Sequence, residues 1–559
     1  MKHLFLVLLI TVSILGFGLR VWQLDSLPYG GLVDEVSIGY NAWSIAETGK
    51  DEHGVRFPVL FKAFGDQKLP AYIYSVVPFI SILGPSNLAV RLPSAVAGSI
   101  LILVAYGLAR SFKFSKPESL LGATIIAFSP WPFVLSRFGF ESNLALLFWM
   151  LGLTAVVQLF QPQRSSRTKV VLAVVAGVLF ALTMYSYVAY RVSVILFLFF
   201  MTIFTLVKNS ARKNLAFFVF LLGTTGTLML PILPSMLSKA GTARFSQIGL
   251  LGEPGPIAFI VEQRMFCAEK APATLCYLIY NKPTVWATTM IERSFSFLSP
   301  QYLFFSGDQF LPYLGPNTYG QFPIAVAVLF YAGLFFLVRT KSQKGVWVLA
   351  TGIILLGMIP MALAGEPQKI RASFMLPGVL LLILLGSRWL LQQHRAFSVL
   401  ILTAALWGSA GFFLNWFTVH PFKMDTDYNS PARKLFEYLK QEHSGKTIEM
   451  DRVLSDAVIY YAFYTMVPPQ RYQETLELGT LEPSGFQHAD AVSGFRLRSA
   501  EFTGQGDPCT TYVTGRDLTL PASSLKTTIR TENGVHPVYF VYQVPTLTPV
   551  DCELPTDQE

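Results

Sequence analysis

The chain has 559 residues, 52% hydrophobic, 14% aromatic and only 14% charged, with a mean hydropathy of +0.47. A soluble protein rarely averages so apolar, whereas repeated runs of about 20 apolar residues are what a bilayer core of about 30 Å demands. The chain therefore reads as a polytopic membrane protein. Its net charge of +9 fits loops facing anionic lipid, not nucleic acid, and four cysteines cannot build a disulfide scaffold.

Residues 4–22 form the first apolar run. They lack a small-x-small cleavage site, and Arg20 and Trp22 suit an interfacial helix end, so the run is expected to stay as a span. The following external loop, 23–87, is dense in acid: Asp34, Glu35, Glu47, Asp51, Glu52 and Asp66. Within it, 71–84 is too short to cross upright and contains Pro78, which predicts an interfacial or re-entrant helix. Further spans are expected near 88–109, 118–136, 142–160, 169–188, 191–207 and 214–235. A long polar interval, 236–321, precedes four more near 322–338, 346–364, 373–391 and 397–417. The total is about eleven crossings.

Sidedness follows from the loops. With the N-terminus inside, the cytoplasmic connections hold Arg110, Lys113 and Lys116; Arg164, Arg167 and Lys169; Lys208, Arg212 and Lys213; Arg339, Lys341 and Lys344; and Arg388 to Arg395. Each is short and basic, which predicts N-in and C-out. Beyond residue 418 the apolar runs stop and alternating stretches such as TIEM and PVYFVYQV appear, with helical spacing of Leu435, Phe436 and Leu439. The expected organisation is a transmembrane domain over 1–417 and a small extracytoplasmic α/β domain over 418–559. Cys267, Cys276, Cys509 and Cys552 then all face the oxidising side, as two disulfides or as small unpaired hydrophobes.

No Walker loop, GxGxxG, HExxH or paired CxxC is present, so ATP-driven transport, nicotinamide chemistry and a zinc-protease site have no support. Asp51, Glu52 and His53 could meet a metal, although an acidic turn before glycine is more often only a turn. Asp34 and Glu35 are adjacent carboxylates at a membrane surface, where mutual repulsion and desolvation favour a general base. External cations accompany them: Lys68, Arg137, Arg371 and a scatter that includes Arg91, Arg191, Arg244, Arg264, Lys282, Arg293 and Lys369. Most such cations serve as lipid anchors. A carboxylate base with a phosphate clamp is also what moves a group off a phospholipid carrier. Tyr29, Tyr40, Trp43, Tyr72 and Tyr74 could line a sugar cleft, against a default of the interfacial aromatic belt.

The run from Asp34-Glu35 through DQKLPAYIY, NLAVRLPSAVAG and SPWPFVLSRFGFE resembles the GT-C superfamily of polytopic glycosyltransferases. Within it, the likeness is to the bacterial branch of protein O-mannosyltransferases and aminoarabinose lipid A transferases. It has motif detail over about 1–190 and continues more loosely through QYLFFSGDQ and KIRASFMLPG. The resemblance implies a mainly α GT-C fold and an inverting enzyme that moves one sugar from a polyprenyl-phosphate donor to an acceptor hydroxyl. The work would be done at the outer face of a bacterial plasma membrane, among membrane lipids. It implies Asp34 as base with Glu35 and Glu141 as further acids, and Lys68, Arg137 and Arg371 on the donor phosphate. Tyr40, Asp66 and Tyr72 are the expected cleft. Gln67 stands where aminoarabinose transferases carry glutamate. The sugar, the acceptor (glycan, lipid or protein) and any divalent metal are not read. The rival readings are a diphosphate-dependent oligosaccharide ligase or polymerase, and a flippase for lipid-linked glycans.

Overall fold

The computed structural model describes residues 2–64, 66–208, 212–236, 254–339, 344–365, 368–393, 395–442, 446–454, 456–480, 487–499, 502, 506–518 and 524–544. Among them, nine helices are long and apolar enough to cross a membrane. They include α1 (Lys2–Val21), the first half of the acidic loop is carried by α2 (Val33–Thr48), and the expected interfacial segment is α3 (Pro70–Leu83), followed by the long α4 (Asn87–Ser111). The other two of the eleven expected crossings do not qualify: the stretch expected over 118–136 is broken into α5 (Lys116–Phe128) and the helix Pro130–Leu135, and the one expected over 322–338 begins only at Val326.

The reason for the break after α5 is local: Ser129 turns extended ahead of Pro130, whose N–H is missing, and Pro130 opens the separate helix Pro130–Leu135. Arg20 then donates to the free carbonyls of Ile126 and Ala127 at 2.8 and 3.1 Å. The expected lipid anchor is thus a fully buried helix C-cap.

Two compact units are present. One comprises Met1–Arg20, Ser94–Ser136 and Glu141–Asn415. Its centre is aromatic: Trp149 stacks on Phe374 at 4.2 Å and meets Phe197 edge-on at 4.8 Å. The helices Val326–Arg339 and Leu376–Gln393 cross on glycines, since a Cβ on Gly386 would lie 1.8 Å from the Leu329 carbonyl oxygen and one on Gly333 2.1 Å from that of Leu382. The interval expected to be polar loop is helical over Pro254–Ala268, Ala273–Ile279 and Lys282–Leu298, with Cys267 and Cys276 joined in a disulfide.

The other unit comprises Val21–Pro93, Arg137–Phe140 and Trp416–Glu559. The acidic loop therefore groups with the C-terminal region. Here β1 (Phe61–Ala63) and β2 (Asp66–Lys68) form a hairpin. The C-terminal strands are β3 (Thr447–Asp451), β4 (Glu477–Leu478), β5 (Ala489–Val492), β6 (Phe495–Arg498), β7 (Thr510–Thr514), β8 (Leu525–Arg530) and β9 (Pro537–Gln543). They make one sheet in the order β4-β5-β6-β3-β7-β9-β8, with β3 parallel to both neighbours. Leu435, Phe436 and Leu439 are buried on the helix Ser430–Glu442, as their spacing predicts. Cys509 is disulfide-bonded, and Cys552 lies outside the described residues.

Candidate active site

The segment between α1 and α2 has no regular structure, so its carbonyls need donors from elsewhere. Two buried arginines supply them. Arg91 donates to the carbonyls of Leu24, Pro28 and Gly30 at 3.1, 2.9 and 2.8 Å. Arg137 donates to those of Trp22, Gln23 and Leu27 at 2.6, 3.3 and 2.6 Å. Gly30 has φ +66°, and a Cβ there would lie 2.5 Å from the Tyr428 carbonyl oxygen, so only glycine fits the turn into α2. Tyr460 and Asn87 add hydrogen bonds to the carbonyls of Gly31 and Gly30.

The start of α2 is thereby fixed, and its two acids part company. Glu35 is 2% exposed. Its carboxylate takes both arms of Arg91 at 2.8 and 2.9 Å, together with the backbone N–H groups of Gly139 and Leu32. Asp34, one residue earlier, is 56% exposed and pairs with the Lys68 ammonium at 2.9 Å. Lys68 comes from the end of β2, lies 5.3 Å from the centre of the Phe64 ring, and is itself only 9% exposed. An almost buried ammonium is thus presented beside an open carboxylate. Each of the two adjacent acids thus has its own cation.

The remaining expected residues divide. Arg137 has its guanidinium on backbone carbonyls and faces Phe417, and burial pulls it down to about 9. Tyr40 and Tyr72 are completely buried, with hydroxyls on the carbonyls of Val467 and Val90. They are core, neither cleft nor aromatic belt, because both faces of α2 and the inner face of α3 are covered by their own unit. Asp66 lies in β2 opposite Ala63. Glu141 and Arg371, both half-buried, belong to the other unit, at the start of the helix Glu141–Leu159 and within Lys369–Ala372. In that unit QYLFFSGDQ and KIRASFMLPG meet: the buried Asp308 accepts from the Lys369 backbone N–H at 2.8 Å, and the Lys369 ammonium donates to the Leu314 carbonyl at 2.7 Å.

Asp51 and Glu52 also turn inward. Asp51 accepts from the N–H groups of His53 and Val55, and Glu52 exchanges hydrogen bonds with the Asn41 amide. Among the described residues no group of three or more His, Cys, Asp or Glu could hold a metal. Burial pushes the Glu52 carboxyl up, against His53 and the Asn41 hydrogen bond, which lower it. A raised folded-state value means that folding favours the protonated acid. Its contribution is present at low pH and lost as pH rises from the unfolded to the folded value. Glu52→Gln should therefore flatten that slope and leave the variant more stable than the parent at neutral pH. Thermal unfolding between about pH 4 and about pH 8 reads this; equal midpoints for variant and parent across the range would contradict it.

Arg91, which in sequence reads as one of the scattered external cations, holds Glu35 and three carbonyls of the segment ahead of α2. Its signal in the NLAVRLPS stretch was a cation at the fourth residue of the apolar run expected over 88–109.

Residues 68–234 match the family described as dolichyl-phosphate-mannose-protein mannosyltransferase. ArnT from Cupriavidus metallidurans, in a crystal structure with undecaprenyl phosphate bound, is similar over 96% of this chain and 97% of its own, with a TM-score of 0.53 and 13% identity. This chain has the GT-C fold. The Archaeoglobus fulgidus oligosaccharyltransferase in its apo form is similar at TM-score 0.51 and 14% identity, over 83% of this chain. The chain spans 64% of that relative's length. No curated protein matches it in sequence. The stretch that matches the family model begins at Lys68 and takes in Arg91 and Arg137.

Proposed function

We propose that this protein is an inverting glycosyltransferase that moves a single sugar from a polyprenyl-phosphate donor to an acceptor hydroxyl at the outer face of the plasma membrane. The observation that carries the reading is the Asp34–Lys68 pair, an open carboxylate beside a sheltered ammonium. The GT-C fold and the undecaprenyl phosphate bound to ArnT support it.

The donor phosphate takes the Lys68 ammonium, which frees Asp34 to accept the proton of the acceptor hydroxyl. The acceptor oxygen bonds to the anomeric carbon as the carbon–oxygen bond to phosphate breaks, and the polyprenyl phosphate leaves with the electron pair. Phosphate is a good leaving group, so neutralisation by a cation suffices and no general acid is needed. Attack opposite the phosphate inverts the anomeric centre. Glu35, Arg91 and Arg137 hold the turn that leads into α2, on which Asp34 sits.

The test offers purified protein in nanodiscs a panel of radiolabelled polyprenyl-phosphate sugars. Transfer or hydrolysis of at least one donor is expected. Lys68→Met should lower kcat/KM about a hundredfold, chiefly through KM for the donor. A panel left untouched by protein that binds lipid-linked glycan would sink the reading in favour of a flippase. An unchanged kcat/KM in Lys68→Met would remove the phosphate role.

A further inference from the structure

α5 and the helix Val326–Arg339 belong to one compact unit. Both line one groove of about 550 Å³ in the transmembrane unit, whose other walls are the helices Leu376–Gln393 and Arg395–Thr418. Most of its surface is apolar, with Leu121, Ile125, Phe128, Leu329, Leu402 and Leu406 along its length. One end is polar and carries Ser115, Glu118, Ser387 and Arg388.

That end is built. Arg388 holds the Glu118 carboxylate through Nε and one terminal nitrogen at 2.8 and 3.0 Å, and the same terminal nitrogen reaches the Lys113 carbonyl at 3.2 Å. The guanidinium lies 4.4 Å from the centre of the Phe114 ring. Its second terminal nitrogen donates to no protein group among the described residues. Glu118 is the single acid between Arg110 and Ser119, and Arg388 occupies it, so Lys113, Lys116 and the N-terminus of α5 leave this rim positive.

We propose that this groove binds an anionic phospholipid, with one acyl chain between α5 and Arg395–Thr418 and its phosphate at the Arg388 end. Three features select that occupant. The walls are apolar, and two of the helices that form them are long and apolar enough to cross a membrane. The positive rim complements a phosphate and gives a zwitterionic headgroup less. The walls of about 20 Å suit a chain one leaflet deep, about 15 Å, better than a long isoprenoid.

The test uses full-length protein in nanodiscs containing phosphatidylglycerol with a photoactivatable acyl chain, diluted in phosphatidylcholine. Cross-links are expected to concentrate on residues 121–129 and 402–409. Ala405→Trp, which fills the groove from one wall, should reduce capture about tenfold, and Arg388→Lys should reduce the preference over phosphatidylcholine. Should Ala405→Trp not fold, competition on the parent protein decides. Cross-links spread evenly over the bundle would overturn the proposal. So would equal labelling by a phosphatidylcholine probe, or displacement by an equimolar polyprenyl phosphate.

Discussion

Asp34→Asn is expected to reduce sugar transfer by about 10²–10⁴-fold, the contribution of a positioned general base. The fall should appear in kcat, because the amide retains the shape of the carboxylate and loses only its ability to take a proton. Stability should change by less than about 1 kcal/mol, because the Asp34 side chain is 56% exposed and its pair with Lys68 belongs to the weak, solvent-screened class. This combination separates a base from a structural acid. Single-turnover transfer by folded variant and parent, with unfolding midpoints in the same detergent, reads both quantities. A variant retaining more than about a tenth of the parent rate would exclude Asp34 as the base.

Glu35→Gln is expected to do the opposite. Arg91 would keep a buried guanidinium with its carboxylate gone, a loss of about 3–5 kcal/mol for breaking a buried pair. The amide still accepts one hydrogen bond, but it cannot serve Arg91, Gly139 and Leu32 together. The unfolding midpoint should fall steeply. Whatever fraction remains folded at low temperature should turn over far faster than Asp34→Asn. The two variants, one residue apart, then report on different links: chemistry for Asp34, and the shape of the turn for Glu35. A Glu35→Gln protein as stable as its parent would show that Arg91 does not depend on this acid. Adding Arg91→Gln tests the coupling directly, since removing both charges should cost less than the sum of the single changes.

The difference between these neighbours explains why part of the site was legible in sequence and part was not. An acidic loop after the first apolar run is a local signal, and so is the lysine before Leu69-Pro70. Both led to Asp34 and Lys68. Which of two adjacent acids faces solvent is not local. On a helix, consecutive side chains point about 100° apart, so Asp34 and Glu35 cannot share an environment. The partners that bury Glu35 lie 56 and 104 residues further along. The same limit applies to Tyr40 and Tyr72. Aromatic residues near a membrane end read alike whether they belong to a belt, a cleft or a core, and here the hydroxyls end on the carbonyls of Val467 and Val90.

Apolar runs of nearly 20 residues determined the membrane helices, because the hydrocarbon thickness acts on each segment by itself. Alternating and helically spaced apolar residues likewise determined the α/β character of the C-terminal region. Tertiary structure alone decided the roles of the charges. Arg20, Arg91 and Arg137 look in sequence like cations for lipid or phosphate. In the fold they are buried on backbone carbonyls, because an irregular turn and a helix cut short by proline leave acceptors that no nearby N–H can reach.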